Sequence, residues 1–155
     1  MISLNFPTFP FKIRKEQKGE EIFDIIRKKY VAFTDEEWVR QHCIAYLIHE
    51  KRCPAALMSV EKGLIVNGLK KRADIVVFAK NAQPKLIVEC KAPHILITND
   101  VFDQIARYNM SLKVNYLMVT NGLKHYCCII NHQQATYHFL EEVPDYEQLS
   151  LNTNN

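Results

Sequence analysis

No uninterrupted apolar stretch in this chain approaches the ~20 residues that a membrane-crossing helix needs. Residues 1–15, with Pro7 and Pro10 set between aromatics, lack the apolar centre of a secretory leader. The expectation is a cytoplasmic protein with no membrane partner. Paired cysteines are missing too. Cys43, Cys53, Cys90, Cys127 and Cys128 are odd in number and form no CxxC, so a disulfide framework and a structural zinc site are not expected, and reduced, mostly buried thiols are. The histidines show no HExxH spacing, and no G-x-x-x-x-G-K-[ST] phosphate loop occurs. There is no large excess of charge: 20 Lys and Arg against 17 Asp and Glu leave +3, which allows a nucleic-acid partner without requiring one. With no internal repeat and no linker, 155 residues are expected to form one domain over 1–155.

What is present reads as a mixed α/β protein. Residues 1–14 are expected to be an extended arm, because proline disfavours helix before it, with aromatics that pack on the domain or on a partner. Residues 20–31 fit neither a helical period nor a clean alternation and stay unassigned. Thr34 followed by Glu37 has capping-box spacing, and Trp38, Cys43, Ile44, Leu47 and Ile48 follow at roughly helical intervals. Strands are expected over 57–66, 72–78 and 85–91, separated by Asn67-Gly68 and by Asn81–Pro84. Asn67-Gly68 favours a tight antiparallel hairpin. A second helix is expected from Asn99 to Leu112, with Phe102, Ile105, Ala106 and Met110 inward, then strands over 115–120, 124–131 and 134–140. Residues 145–155 are polar and expected to fray. The strand–helix–strand unit from Lys85 to Thr120 should be a parallel crossover. The whole is a mixed central sheet flanked by helices, an αβββαβ core with a C-terminal hairpin.

The chemistry concentrates on Leu86-Ile87-Val88-Glu89-Cys90-Lys91. Three apolar residues in a row mark a central strand covered on both faces. Glu89 and Lys91, two apart, project to one face of a strand end where burying ionisable groups is costly unless something compensates. Asp74 opens the preceding apolar strand, and an antiparallel meander would set it beside Glu89. Two carboxylates and an amine so gathered suit Mg²⁺, which takes one or two protein carboxylates and keeps several waters. The ion activates a bound water and offsets phosphoryl charge, while Lys91 orients or deprotonates that water. An E-x-K triplet alone is usually a solvated ion pair; Asp74 on the neighbouring strand and the apolar flanks raise its value here.

These residues resemble the PD-(D/E)xK nuclease superfamily. Arg72-Ala73-Asp74-Ile75 with Val88-Glu89-Cys90-Lys91-Ala92-Pro93 is similar to the N-terminal nuclease domain of type I restriction enzyme R subunits, and the likeness runs from about Phe23 to Tyr126. The resemblance implies a restriction-endonuclease-like fold and an endonuclease that hydrolyses DNA phosphodiester bonds. It implies Mg²⁺, with Mn²⁺ able to substitute, and DNA as partner. Other restriction-system or repair subunits, or a second copy in a homodimer, are compatible with it. Asp74, Glu89, Lys91 and Gln104 carry over as catalytic residues, and Asp74, Glu89 and Glu37 as metal ligands, with Glu36 in reserve for Glu37. Glu37 serves equally well as the capping-box residue. Gln104 and Tyr108 match a Q-x-x-x-Y motif on the helix after the catalytic strand, one turn apart on one face, with Tyr108 toward DNA. The residue before Asp74 is Ala73 where the family usually has proline, and without a phosphate loop the ATP-driven motor of R subunits is not expected in this sequence.

Basic clusters add to this. Lys70-Lys71-Arg72 lies just before Asp74, so Lys71 and Arg72 are substrate-binding candidates, and Arg27-Lys28-Lys29 precedes the first helix. His94, three residues past Lys91, is expected in a loop, and Tyr126-Cys127-Cys128 in a buried strand. Two alternatives stand beside the nuclease: a catalytically silent nucleic-acid-binding or scaffolding module of the same fold, and a structural interaction module whose charged strand ends pair with one another.

Overall fold

The computed structural model describes residues 1–66 and 68–151. Its centre is a six-stranded sheet of β4 (Met58–Val66), β5 (Leu69–Phe78), β6 (Pro84–Cys90), β7 (Tyr116–Thr120), β8 (His125–Asn131) and β9 (Thr136–Leu140), in that spatial order. β6 and β7 are parallel, joined through α2 (Asn99–Met110), and the other neighbours are antiparallel. Together with α1 (Asp35–His49) ahead of β4, this is the αβββαβ order and C-terminal hairpin expected from the sequence. Asn67 lies outside the described residues, but the pairing on either side of it is antiparallel as expected, from Val66↔Leu69 onward. Among the described residues no helix is long and apolar enough to cross a membrane.

The apolar run of β6 feeds two cores. Leu86, Val88 and Cys90 enter one with Val39, Cys43, Ile44 and Leu47 of α1, and Ile87 enters the other with Phe102 and Ala106 of α2. Alternation along a strand thus places Glu89, two residues from Ile87, on the α2 face. Asp74, on the neighbouring strand, is within hydrogen-bond reach of Arg40 of α1. All five cysteines are free and buried.

Three segments differ from the sequence reading. Residues 20–31 belong to a second, three-stranded antiparallel sheet of β1 (Ile13–Glu16), β2 (Gly19–Asp24) and β3 (Lys29–Ala32). Only Ile22 and Asp24 of β1 and β2 are buried, so neither period shows. The arm ends at residue 12 rather than 14, and it packs on the domain, one of the two arrangements expected. Trp38 donates its indole N–H to the Ile2 carbonyl at 2.9 Å, Asn5 N–H donates to the Gly122 carbonyl at 2.7 Å, and the Phe6 ring lies 4.1 Å from the His125 ring. Gly122, at φ +86°, leaves room for Leu4, whose side chain would sit 2.7 Å from a Cβ there. Of the 145–155 stretch, residues 152–155 lie outside the described residues, and 145–151 do not fray. Asp145 caps α3 (Tyr146–Ser150), Leu149 is fully buried, and the Tyr146 hydroxyl donates to the Phe78 carbonyl at 3.1 Å.

Candidate active site

The antiparallel β5–β6 register pairs Ile75 with Val88, which brings Asp74 beside Glu89 at the end of the sheet. The Glu89 carboxyl, buried and set against the Asp74 charge, is held well above the ordinary carboxylate range. Burial first, then the Asp74 charge, push the Glu89 pKa up to about 8, while Lys91 pulls the other way. Asp74 is held from two sides. Its Oδ2 accepts the Cys90 backbone N–H at 2.7 Å, and its Oδ1 accepts from the Arg40 guanidinium at 3.0 Å. Lys91 follows directly after β6, its backbone N–H donated to the Thr120 carbonyl of β7 at 2.8 Å, and its side chain is half-buried.

Arg40, which the sequence reading did not single out, organises the acidic groups. Its guanidinium pairs with Glu37 at 2.7 Å, Glu61 at 2.9 Å, Asp74 at 3.0 Å and Glu36 at 3.1 Å. Burial works against the Arg40 charge, but the Glu37 and Asp74 carboxylates outweigh it and hold its pKa above the ordinary value. The signal that could have found it is local: Arg40 stands three and four residues after Glu37 and Glu36, on one helical face.

The side chain of Glu37 is committed elsewhere. The Thr34 hydroxyl accepts the Glu37 backbone N–H at 3.0 Å, as the capping spacing predicts. The carboxylate, however, accepts from Arg27 at 2.8 Å, Arg40 at 2.7 Å and Gln41 at 3.0 Å. Three of its four acceptor sites are thereby filled, two on Oε1 and one on Oε2. The α1 acid that senses the pair is Glu36, whose pKa is raised by burial and then by Asp74. Arg27 also points inward, to Asp24 at 2.6 Å as well as to Glu37, so the first basic cluster is not a plain solvated edge. Asp24, fully buried, accepts further from Gln41 at 2.9 Å and locks the small sheet onto α1.

Gln104 and Tyr108 are exposed on α2, the helix that covers the Glu89 face. Lys71 Nζ stands 3.5 Å from the centre of the Tyr108 ring and also donates to the Tyr108 carbonyl. Arg72 pairs with Glu61 at 2.7 Å. Lys70, Lys71, Arg72 and Tyr108 line a groove of about 590 Å³ with Glu61 and Gly63. His94 is exposed in the loop after β6.

Among the described residues no three His, Cys, Asp or Glu side chains gather closely enough to hold a metal ion. Two neighbouring carboxyls are the number that a Mg²⁺ site, completed by waters, commonly takes from a protein. At every pH between the unfolded Glu value of about 4.3 and the folded value of about 8, the native chain keeps a proton that the unfolded chain has lost. Stability therefore falls as pH rises through that window. Glu89→Gln, in EDTA, is expected to melt higher than wild type at pH 8 and level with it below pH 4. Calorimetric scans across pH check this; a variant that melts lower at pH 8 would show the carboxylate to be structural.

No curated protein matches this chain. A solved fragment assigned as the HsdR subunit of a type I restriction enzyme from Vibrio vulnificus YJ016 superposes with a TM-score of 0.51 at 17% identity, over 77% of this chain and 25% of that one. That likeness shows a shared restriction-endonuclease-like fold, and this chain spans about a quarter of the fragment. Residues 35–144 match the family described as the type I restriction enzyme R protein N terminus, from the start of α1 to just before α3. On that match over most of its length, the chain belongs to the type I restriction enzyme R protein N-terminus family.

Proposed function

We propose that this chain is a metal-dependent endonuclease that hydrolyses DNA phosphodiester bonds, with Asp74 and Glu89 as metal ligands and Lys91 as the third catalytic group. The observation that carries the reading is the Asp74–Glu89 pair: two carboxyls set side by side by the β5–β6 register, with burial and the Asp74 charge keeping Glu89 protonated where a divalent cation would serve better. Mg²⁺, or Mn²⁺ in its place, would supply a Lewis acid and a water of lowered pKa when bound there. Asp74, fixed by the Cys90 N–H, presents its position without further ordering, and Glu89 releases its proton on loading, so metal affinity is expected to rise with pH up to about 8. Lys91 orients the attacking water and offsets charge on the phosphoryl oxygens. Glu36, more exposed than Glu37, takes the place the sequence reading gave to Glu37, acting through water. Lys71 and Arg72 hold flanking phosphates, with Tyr108 and Gln104 positioning the strand from α2. Other subunits of a restriction system are the partners the family suggests.

Purified protein incubated with plasmid and single-stranded DNA tests the reading. Cleavage with Mg²⁺ or Mn²⁺, abolished by EDTA, is expected; intact DNA under all conditions would sink it. Arg40 on Asp74 Oδ1 favours one second reading, a silent module of the same fold. Binding without cleavage in that assay would establish it instead.

A further inference from the structure

The pairing of β4 with β5 continues to Val66↔Leu69, whereas β5 pairs with β6 only from Ile75↔Val88 to Phe78↔Pro84. Since β4 is an edge strand, residues 62–65 and 69–73 form a two-stranded ribbon that extends past the body of the sheet. Its root is anchored: Leu64 and Ala73 are buried in the α2-side core. The remainder is open. Ile65 is 70% exposed and Leu69 41%, one on each face of the ribbon by their pairing.

The charge on the ribbon has one sign. Lys62, Lys70, Lys71 and Arg72 stand on it, and the acid at its base, Glu61, is already taken by Arg40 and Arg72. Lys62 and Lys70 are exposed and have no carboxylate partner among the described residues.

Gly63 supplies an independent observation. It lies in mid-strand opposite Arg72, where glycine weakens a sheet and marks a close approach by a ligand or another backbone. Its own fold does not require it: φ is not positive, and a Cβ built there meets nothing within 4 Å. The space it leaves open is the groove of about 590 Å³ lined by Lys70, Lys71, Arg72 and Tyr108.

We infer that the β4–β5 ribbon is an arm that enters a groove of duplex DNA. Gly63, Ile65, Lys70 and Arg72 share the face turned away from the core; Lys70 there and Lys62 on the flank neutralise phosphates, Gly63 admits the backbone to the ribbon, and Ile65 makes the apolar contact with base edges. This rests on the nuclease reading for its substrate and goes beyond it in naming the form of DNA and how it is held. A two-stranded ribbon fits the major groove, and apolar side chains at such a tip contact thymine methyls or wedge into base steps. A single strand would instead call for a platform of aromatic rings. The described ribbon residues are not aromatic, and the neighbouring Tyr108 ring is covered by Lys71.

Fluorescence anisotropy in EDTA, with a labelled 30-base-pair duplex and the matching single strand over a salt series, tests the inference on the full chain. Wild type is expected to prefer duplex. Gly63→Val is expected to lose most duplex binding while melting as high as wild type, because its side chain enters open space. Lys62→Ala with Lys70→Ala is expected to flatten the slope of log K against log salt by about 1.8, at ~0.9 per phosphate contact. Lys80→Ala, in the turn after β5 at the far end of the sheet, is expected to change neither. Tighter binding of the single strand, unchanged duplex affinity and slope in the ribbon variants, or ribbon-dependent binding to anionic lipid vesicles but not to duplex, would each overturn the inference. The two readings fail separately. If wild type never cuts DNA yet the ribbon variants lose duplex binding, the arm stands without the nuclease. If wild type cuts and the ribbon variants bind and cut equally well, the nuclease stands without the arm.

Discussion

Lys91→Ala is expected to lower metal-dependent DNA cleavage by roughly 10²–10⁴-fold, the range of a positioned polar or acid–base group, and to leave the fold in place. The lysine follows β6, and the hydrogen bond that ties this point to β7 is made by its backbone N–H to the Thr120 carbonyl, which alanine keeps. The side chain is half-buried and makes no hydrogen bond or ion pair among the described residues, so the stability change should stay near the ±0.5 kcal/mol typical of such sites. Duplex binding in EDTA should persist, which separates loss of chemistry from loss of substrate. Equal cleavage by wild type and variant would trace the activity to a contaminant and remove the assignment.

Arg40→Met is expected to have the largest effect on stability. It leaves Glu37 buried with Arg27 as its remaining cation and frees Asp74, Glu36 and Glu61 to repel one another. Breaking a buried ion pair from one side costs about 3–5 kcal/mol, which for a chain of this size lowers the melting temperature by roughly 6–20 °C. Because the guanidinium occupies an Asp74 oxygen that a metal would use, Mg²⁺ should raise the melting temperature of Arg40→Met by more than it raises that of wild type. Thermal melts of both proteins with and without 10 mM Mg²⁺, ~10 mM being ample for a weak site, measure the two halves together. A variant that melts with wild type would show the hub to be dispensable.

The strand chemistry was legible in the sequence because it violates a pattern. Glu89, Lys91 and Asp74 interrupt runs that are otherwise apolar, and a register set by short turns leaves them one arrangement. The same logic placed α2, whose Phe102 and Ala106 recur at helical spacing. What escaped was whatever breaks no pattern. β1 to β3 expose most of their side chains and draw their order from contacts with α1, so their residues carry no period of their own. Asp24 looks like any charged residue until its four hydrogen bonds are seen together. Glu37 was read as a cap and a metal ligand, and its backbone does what the cap requires; the fate of its carboxylate depended on Arg27 folding back from another sheet. Leu149 sits in a polar stretch, and burial of one leucine orders a five-residue helix that composition alone does not suggest.

The bond between His125 Nε2 and the Asn5 carbonyl, 2.6 Å long, joins residues 120 positions apart. Closing a loop of that length costs roughly 4 kcal/mol of chain entropy, which nothing returns until β7 and β8 exist to receive the strap. Docking of residues 2–11 should therefore be among the last events in folding and the first reversed. The Asn5 amide, held by the Gly122 carbonyl, should exchange with deuterium by local opening at a rate well above that of Met118 in the sheet interior, which waits for global unfolding.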